Sequence, residues 1–128
     1  MGISFQIQDD ILNLIADEEK YGKEIGGDIL EGKRTLMLIH LMANCKSEER
    51  VMILRFLAIP IKERAQADAI EILGLMKVYG SIDYAKNTAR YLAGGALKEF
   101  YSIFSRLPDS EDKTLIESII LYMINRDY

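Results

Sequence analysis

Cysteine and proline are both scarce in this chain of 128 residues. The one cysteine, Cys45, has no second cysteine with which to form an internal disulfide, so a reducing, cytoplasmic setting is expected. The two prolines leave long stretches uninterrupted, and apolar residues recur in these stretches at helical rather than alternating spacing. The sequence therefore predicts an all-α protein without strands.

The chain also lacks a long apolar run and an excess of positive charge. The longest apolar candidate, Leu36–Ala43, is interrupted by His40 and is far shorter than the roughly 20 residues of a membrane span. The first residues carry no basic segment of the kind that opens a secretory signal. Net charge is −4, and the basic residues are interspersed with acidic ones. Neither a membrane span nor a nucleic-acid partner is expected.

Capping residues and glycines predict six helices in one domain covering residues 1–128. The predicted helices are Gly2–Ala16, Arg34–Ala43, Glu48–Ala58, Glu63–Tyr79, Ser81–Arg106 and a last helix after Ser110. A glycine-rich loop separates the first two, and Pro60 marks a break before the fourth. Ser47, Ser81 and Ser110 are the predicted N-caps. Gly80 is predicted to end the fourth helix.

The later helices carry apolar stripes that predict their buried faces. In the fifth helix the stripe consists of Ala85, Ala89, Leu92, Ala96 and Phe100. In the last helix it consists of Leu115, Ile119, Tyr122 and Met123. His40, which has apolar neighbours on both sides, is predicted to lie in the core or half buried, and Cys45 to be an inert thiol near a helix end.

The first helix combines an apolar surface with a narrow polar stripe. Its main apolar positions are Ile3, Ile7, Ile11 and Leu14. The polar stripe consists of Gln6, Asp9, Asp10 and Asn13, which stack because residues three and four apart share one side of a helix. A largely apolar helix belongs inside a bundle, where carboxylates are costly unless they are paired or bound to metal. Oxygen ligands without nearby His or Cys favour Mg²⁺.

The loop after this helix bears on how the aspartate pair is interpreted. On the pair alone, the simpler interpretation is the solvated side of an amphipathic helix. Lys23 and Lys33, however, stand beside glycines in the loop that follows directly. Glycine lets a ligand approach the backbone closely, and the lysine ammonium is a compact partner for phosphate. The combination is typical of a Mg²⁺-diphosphate site, although Gly-Lys pairs also occur in ordinary surface loops.

Three segments resemble one enzyme family. Residues 2–13, GISFQIQDDILN, resemble the second aspartate-rich motif of trans-type isoprenyl diphosphate synthases, G-x-x-F-Q-x-x-D-D-x-x-D. Residues 22–36, GKEIGGDILEGKRTL, are similar to the family's G-K-x-x-G-x-D-x-x-x-G-K-x-T. Residues 80–85 and the ending RDY also look like the family. The chain is therefore identified as resembling the C-terminal half of a polyprenyl or geranylgeranyl diphosphate synthase.

The resemblance implies a fold, a reaction and a set of partners. The fold would be an all-α bundle of the isoprenoid synthase type with a central cavity, usually in a homodimer. Two facing aspartate-rich helices would bind Mg²⁺ ions that bridge an allylic diphosphate. Ionisation of that substrate leaves an allylic cation, which the double bond of isopentenyl diphosphate attacks. Mg²⁺ and lysines would stabilise the departing diphosphate.

The resemblance also implies metal-binding roles for particular residues. Asp9 and Asp10 would be the metal ligands. Asn13 stands where the family usually has a third aspartate and would be a weaker ligand, because an amide carries no charge. Asp28 would support the metal indirectly.

Substrate-binding roles follow from the resemblance in the same way. Lys23 and Lys33 would contact the allylic diphosphate. Gln6 and Phe5 would line the reacting centre. Arg126, in the C-terminal tail, would approach isopentenyl diphosphate, with an ordinary surface arginine as the alternative.

The family's first aspartate-rich motif has no counterpart in this sequence. Asp109–Asp112 is predicted to be a helix cap rather than a second metal motif. We therefore expect the chain to be a fragment, one subunit of a split enzyme or a degenerate relative, inactive alone and associating with a missing N-terminal half, a partner subunit or itself. The alternative is a non-catalytic regulatory or interaction subunit of the same fold. A plain helical binding module would leave the aspartates and lysines unexplained.

Overall fold

The computed structural model describes residues 2–15 and 26–125, and this part of the chain contains helices and turns but no strand. The elements in chain order are α1 (Gly2–Ile15), α2 (Gly27–Glu31), α3 (Leu36–Asn44), α4 (Ser47–Ala58), a 3₁₀ turn (Ile61–Glu63), α5 (Gln66–Val78), α6 (Ser81–Phe104) and α7 (Glu111–Asn125). The all-α prediction is confirmed. Helix α2 lies within the segment that the sequence predicted to be a loop.

The long helix α6 is the centre of the bundle, since α1, α3, α5 and α7 all contact it. Ala85, Ala89 and Ala93 are almost fully buried, and their small side chains allow neighbouring helices to approach closely. The hydroxyl of Ser4 on α1 donates to the carbonyl oxygen of Ala89 at 2.8 Å. The predicted stripe of α6 is thus confirmed at Ala85, Ala89 and Phe100, and α1 lies against its alanine face.

Helix α1 buries most, but not all, of its predicted apolar stripe. Ile7, Ile11 and Leu14 belong to the main hydrophobic core. Ile3 does not, because 71% of its surface is exposed in the first turn of the helix, and Phe5 is 49% exposed. The outer surface of α1 is therefore apolar near its N-terminus.

Two of the three predicted N-cap residues, Ser47 and Ser81, are wrong. Helix α4 has Lys46 as its N-cap residue, and the side chain of Glu49 accepts a hydrogen bond from the Lys46 backbone N–H at 2.9 Å. Ser47 lies inside the first turn. Helix α6 follows Gly80, and Ser81 is its first helical residue, buried against His40 with 3.0 Å between Oγ and Nδ1. In both cases the residue before the serine, Lys46 or Gly80, occupies the N-cap position.

Other predicted boundaries are confirmed. Gly80 follows the end of α5 in the left-handed region, at φ 64°, which favours glycine. The side chain of Ser110 accepts from the backbone N–H of Lys113 at 3.2 Å, as an N-cap does. Helix α5 nevertheless starts later than predicted, at Gln66 rather than Glu63, because the 3₁₀ turn precedes it and Arg64 is extended.

The predicted buried face of α7 is mostly wrong. Leu115, Ile119 and Tyr122 are exposed, whereas Ile120 and Met123 are buried. Helix α7 packs on α6 along a neighbouring strip of its surface. The exposed apolar residues form a second stripe on α7. Both stripes have helical spacing, so periodicity alone does not show which one is buried.

His40 in α3 and Cys45, the residue that follows α3, lie in the environments that were predicted. His40 is half buried, and its ring stacks on that of Tyr84 with 4.3 Å between centroids. Cys45 is buried at the C-terminal end of α3. Among the described helices, none combines the length and apolar character needed to cross a membrane.

Candidate functional site

The polar stripe of α1 remains accessible on the assembled bundle. Gln6 and Asp9 are exposed, and Asp10 and Asn13 are half buried. The amide nitrogen of Gln6 donates to Oδ1 of Asp10 at 3.0 Å, one helical turn away. The amide therefore orients the more buried of the two carboxylates in this stripe.

Helix α2 brings two further predicted residues to this stripe. The backbone N–H of Asp28 donates to Oδ1 of Asn13 at 3.2 Å, which joins the start of α2 to α1. The ammonium of Lys33 lies 2.5 Å from Oδ1 of Asp28, and its backbone N–H donates to the Asp28 carbonyl at 2.9 Å. Asn13, Asp28 and Lys33 are thus joined at the α1–α2 junction, and Asp10 lies near enough for the charges of Asp28 and Lys33 to affect its pKa.

Glycine makes the short helix α2 possible. The helix has five residues, and Gly26 and Gly32 flank it with φ values of 79° and 74°. Both values lie in the left-handed region, which other residues adopt at a cost. The two reversals confine Asp28 to a buried position and turn Lys33 back towards it, where half of the lysine side chain stays exposed.

The electrostatic balance of this junction is acidic. The pKa of Asp10 is raised, chiefly because burial penalises its charged form, and the carboxylates of Asp28 and Asp9 act in the same direction. The hydrogen bond from Gln6 and the ammonium of Lys33 oppose the shift but do not cancel it. The pKa of Lys33 is raised in turn, mainly by its hydrogen bond to Asp28. A cation at Asp10 would relieve the unfavourable charge.

The carboxylates of the described residues do not form a complete metal site by themselves. In residues 2–15 and 26–125, no three His, Cys, Asp or Glu side chains are grouped closely enough to hold a metal ion. Mg²⁺ is commonly bound by one or two carboxylates together with phosphate oxygens and water. The oxygen donors of Asp9 and Asp10 fit that mode, because a diphosphate or a facing helix could supply the other ligands.

The remaining predicted site residues differ in placement. Phe5 lies one turn before Asp9 on the same side of α1 and is about half exposed. Lys23 and Arg126 lie outside the described residues, and so does the Gly22–Ile25 portion of the predicted loop.

Sequence reasoning missed two buried polar residues on α1. The side-chain nitrogen of Gln8 donates to the carbonyl oxygen of Met123 at 2.5 Å, so Gln8 ties α1 to the end of α7. Its Oε1 is buried and has no hydrogen-bond partner in the described part of the chain. Ser4 bonds α6 in a similar way. Both residues share the helix face of Ile11, and that spacing is the signal that could have identified them.

Comparison with known proteins identifies the family of this fold and site. A family model described as Polyprenyl synthetase matches residues 1–75, more than half of the chain. The chain belongs to the polyprenyl synthetase family. The matched region contains the whole acidic junction of α1 and α2, and the predicted resemblance is confirmed.

Individual members of the polyprenyl synthetase family match almost the whole chain. Geranylgeranyl diphosphate synthase of Sulfolobus acidocaldarius is 35% identical over 94% of this chain, which corresponds to 36% of that protein. Octaprenyl diphosphate synthase of Haemophilus influenzae is 33% identical over 100% of this chain and 37% of its own length. The chain thus spans little more than a third of the length of these relatives.

The fold is shared with solved structures of the family. The crystal structure of geranylgeranyl pyrophosphate synthetase from Pyrococcus horikoshii matches 98% of this chain and 36% of that chain, with a TM-score of 0.78 and 36% identity. Heptaprenyl diphosphate synthase from Staphylococcus aureus matches with the same TM-score at 29% identity. The isoprenoid synthase type of helical fold is therefore confirmed.

Proposed function

We propose that this polyprenyl synthetase chain is the C-terminal part of a Mg²⁺-dependent prenyltransferase. The reaction would be the condensation of an allylic diphosphate with isopentenyl diphosphate. The observation that supports the proposal best is the junction of α1 and α2, where Asn13 joins the aspartate-bearing helix to the segment that carries Asp28 and Lys33. One acidic surface and one exposed ammonium lie side by side, as a metal-bound diphosphate requires.

Each residue of the junction has a role in this proposal. Asp9 and Asp10 hold Mg²⁺, which supplies charge stabilisation for the departing diphosphate. Gln6 keeps the Asp10 carboxylate oriented. Lys33 donates to the diphosphate from a position set by Asp28. Asn13 acts mainly as the tie between the two helices and only secondarily as a ligand.

Further contacts in the proposal depend on residues outside the described part. Lys23 would be the second lysine at the allylic diphosphate, and Arg126 would approach isopentenyl diphosphate. Phe5, exposed beside Asp9, would line the reacting centre.

The chain supplies only half of the proposed site. The relatives are nearly three times as long as the part they share with it. We propose that an N-terminal half, or a partner subunit in a homo- or hetero-oligomer, covers the exposed Ile3 and Phe5 and brings the opposing carboxylates. Without it, catalysis fails because the reactants are not positioned between facing helices.

A binding experiment tests the half-site directly. The purified chain is titrated with pyrophosphate in the presence and absence of Mg²⁺, with the heat of binding as the readout. Binding that requires Mg²⁺ and is lost in both Asp10→Asn and Lys33→Ala supports the proposal. Binding of equal strength in the wild type and both variants, or no binding at all, contradicts it. Glu99→Gln, a neutralisation on the exposed surface of α6, is the matched control.

A second candidate function is a non-catalytic regulatory or interaction subunit of the same fold. The observation that favours it is the use of Asn13 as a hydrogen-bond acceptor for Asp28, where the family's usual motif has a third carboxylate. This candidate predicts association with a complete synthase and no Mg²⁺-dependent pyrophosphate binding. The titration therefore separates the two functions.

A further inference from the structure

Arg64 ties helix α2 to the end of helix α4 near the proposed site. Its Nη1 donates to the carbonyl oxygen of Leu30 in α2 at 2.5 Å. Its Nη2 and Nε donate to the carbonyl oxygens of Leu57 and Ile59, at the end of α4, at 2.9 and 3.0 Å. The guanidinium also lies over the ring of Phe56, 5.3 Å from its centroid. Each of its three nitrogens therefore has a backbone acceptor.

Helix α2 depends on anchors outside itself. A five-residue helix between two glycines has little intrinsic stability, and the carbonyl groups of Asp28 and Ile29 are paired only with the backbone N–H groups of Lys33 and Gly32, which follow the helix. Asn13 anchors its N-terminal end from α1. Arg64 anchors its C-terminal end by bonding the Leu30 carbonyl, and a positive charge interacts favourably with the carbonyl end of a helix.

The anchor is adjacent to Lys33. Gly32 separates Lys33 from the last residue of α2, and the guanidinium lies directly against this glycine. A Cβ atom on residue 32 would lie only 2.7 Å from Nη1 of Arg64. The guanidinium thus occupies the space beside the turn that sends Lys33 back to Asp28.

We propose that Arg64 is a positioning residue for the diphosphate site, which holds the end of α2 so that the Lys33 ammonium stays at Asp28 and faces the bound diphosphate. The role of Lys33 at the diphosphate rests on the proposed function. The effect of Arg64 on the Lys33–Asp28 pair is independent of that function. Arginine is required because the three acceptors bond three different nitrogens of one guanidinium, an arrangement that the single nitrogen of a lysine ammonium does not reproduce.

The first test measures the position of Lys33 without any ligand. The full chain is labelled for NMR, and the Lys33 ammonium is titrated in the wild type, in Arg64→Lys and in the exposed control Arg55→Lys. The hydrogen bond to Asp28 raises the pKa of Lys33, so the pKa should fall towards its ordinary value in Arg64→Lys and stay unchanged in the control. An unchanged Lys33 pKa in a folded Arg64→Lys chain overturns the inference.

The second test measures the consequence for the ligand, with Mg²⁺ and pyrophosphate as the probe. Arg64→Lys should weaken binding about tenfold, and Lys33→Ala should weaken it at least as much. The double variant should bind no more weakly than Lys33→Ala, because Arg64 acts through Lys33. Additive losses overturn the inference. If the wild type does not bind pyrophosphate, the proposed function fails, while the NMR titration still decides the effect of Arg64 on Lys33.

A second variant covers the possibility that Arg64→Lys does not fold. Gly32→Asn keeps the arginine and tolerates the left-handed backbone at residue 32, but its Cβ would press on the guanidinium. Gly32→Asn should lower the Lys33 pKa, as Arg64→Lys should. A folded Gly32→Asn chain with wild-type Lys33 titration overturns the inference.

Discussion

The side-chain oxygen of Asn13 accepts a hydrogen bond from the backbone N–H of Asp28, with 3.2 Å between the two atoms. This contact joins the aspartate-bearing helix to the segment that carries Lys33. In the aspartate-rich motif that residues 2–13 resemble, the position of Asn13 is an aspartate. An amide oxygen can make the same helix-to-helix bond without adding a third negative charge beside Asp10.

Substitutions at Asn13 should separate its role as the hydrogen-bonded tie between α1 and α2 from its role as a metal ligand. Asn13→Ala removes the acceptor and should lower the free energy of unfolding by about 1 kcal/mol, as measured by urea denaturation. Asn13→Asp keeps an acceptor but adds a charge near Asp10, so it should destabilise the metal-free chain and strengthen Mg²⁺ binding. Mg²⁺ affinity that is unchanged in Asn13→Asp would show that this position does not face the metal.

Asp10→Asn should stabilise the metal-free chain. The pKa of Asp10 is raised in the folded state, so the folded chain binds this proton more tightly than the unfolded chain does. Stability from this group is therefore present below the ordinary value of 3.8 and is lost as pH rises through the folded pKa. At pH 7 the substitution should add at most about 1 kcal/mol, because the carboxylate is partly solvated.

The pH dependence provides the check on this prediction. The stabilisation should be present at pH 7 and should shrink towards pH 3, where the wild-type carboxyl is already protonated. The exposed control Glu99→Gln is measured under the same conditions. A destabilised Asp10→Asn chain at pH 7 would mean that the carboxylate is satisfied by the protein alone and has no need of a cation.

The aspartates should matter far more than Asn13 for turnover once the site is complete. In the completed synthase, Asp9→Ala or Asp10→Ala should reduce kcat by about two orders of magnitude or more, because each removes charge that holds a metal at the leaving group. Asn13→Ala should have a much smaller effect. Steady-state kinetics with an allylic diphosphate and isopentenyl diphosphate measure both. Equal, large losses at all three positions would make Asn13 a full ligand.

The isolated chain should self-associate through the outer surface of α1. Ile3 and Phe5 are 71% and 49% exposed, and exposed apolar patches drive association. Sedimentation velocity should show oligomers of the wild-type chain. The oligomeric fraction should be smaller in the double variant with Ile3→Ser and Phe5→Ser. Val78→Ser, at a residue that is 81% exposed at the end of α5, should have no effect. A monodisperse wild-type monomer would show that the described core suffices without a partner.

The sequence predicted the fold class and the acidic junction better than it predicted the packing surfaces. Helical spacing identified Ile7, Ile11 and Leu14 as one apolar stripe, which the structure buries. The local signals at Gly80 and Ser110 ended or began helices as predicted. Such signals act within one turn of the chain, so the sequence alone reveals them.

What the sequence did not predict depends on contacts between distant segments. Arg64 reaches Leu30 across 34 positions, and Gln8 reaches Met123 across 115. Nothing in the neighbourhood of either residue indicates its acceptor. The choice between Ile119 and Ile120 as the buried residue of α7 likewise depends on which strip of the helix meets α6.

The most direct test of the central claim is prenyl transfer by a chimera. The segment of the Pyrococcus horikoshii geranylgeranyl pyrophosphate synthetase that matches this chain is replaced by residues 1–128, and incorporation of labelled isopentenyl diphosphate is measured with Mg²⁺ and an allylic diphosphate. The chimera should elongate the substrate, the isolated chain should not, and Asp9→Asn with Asp10→Asn should abolish the activity of the chimera. Elongation by the isolated chain, or an unchanged rate in the doubly substituted chimera, would contradict the assignment of this chain as one half of the metal-diphosphate site.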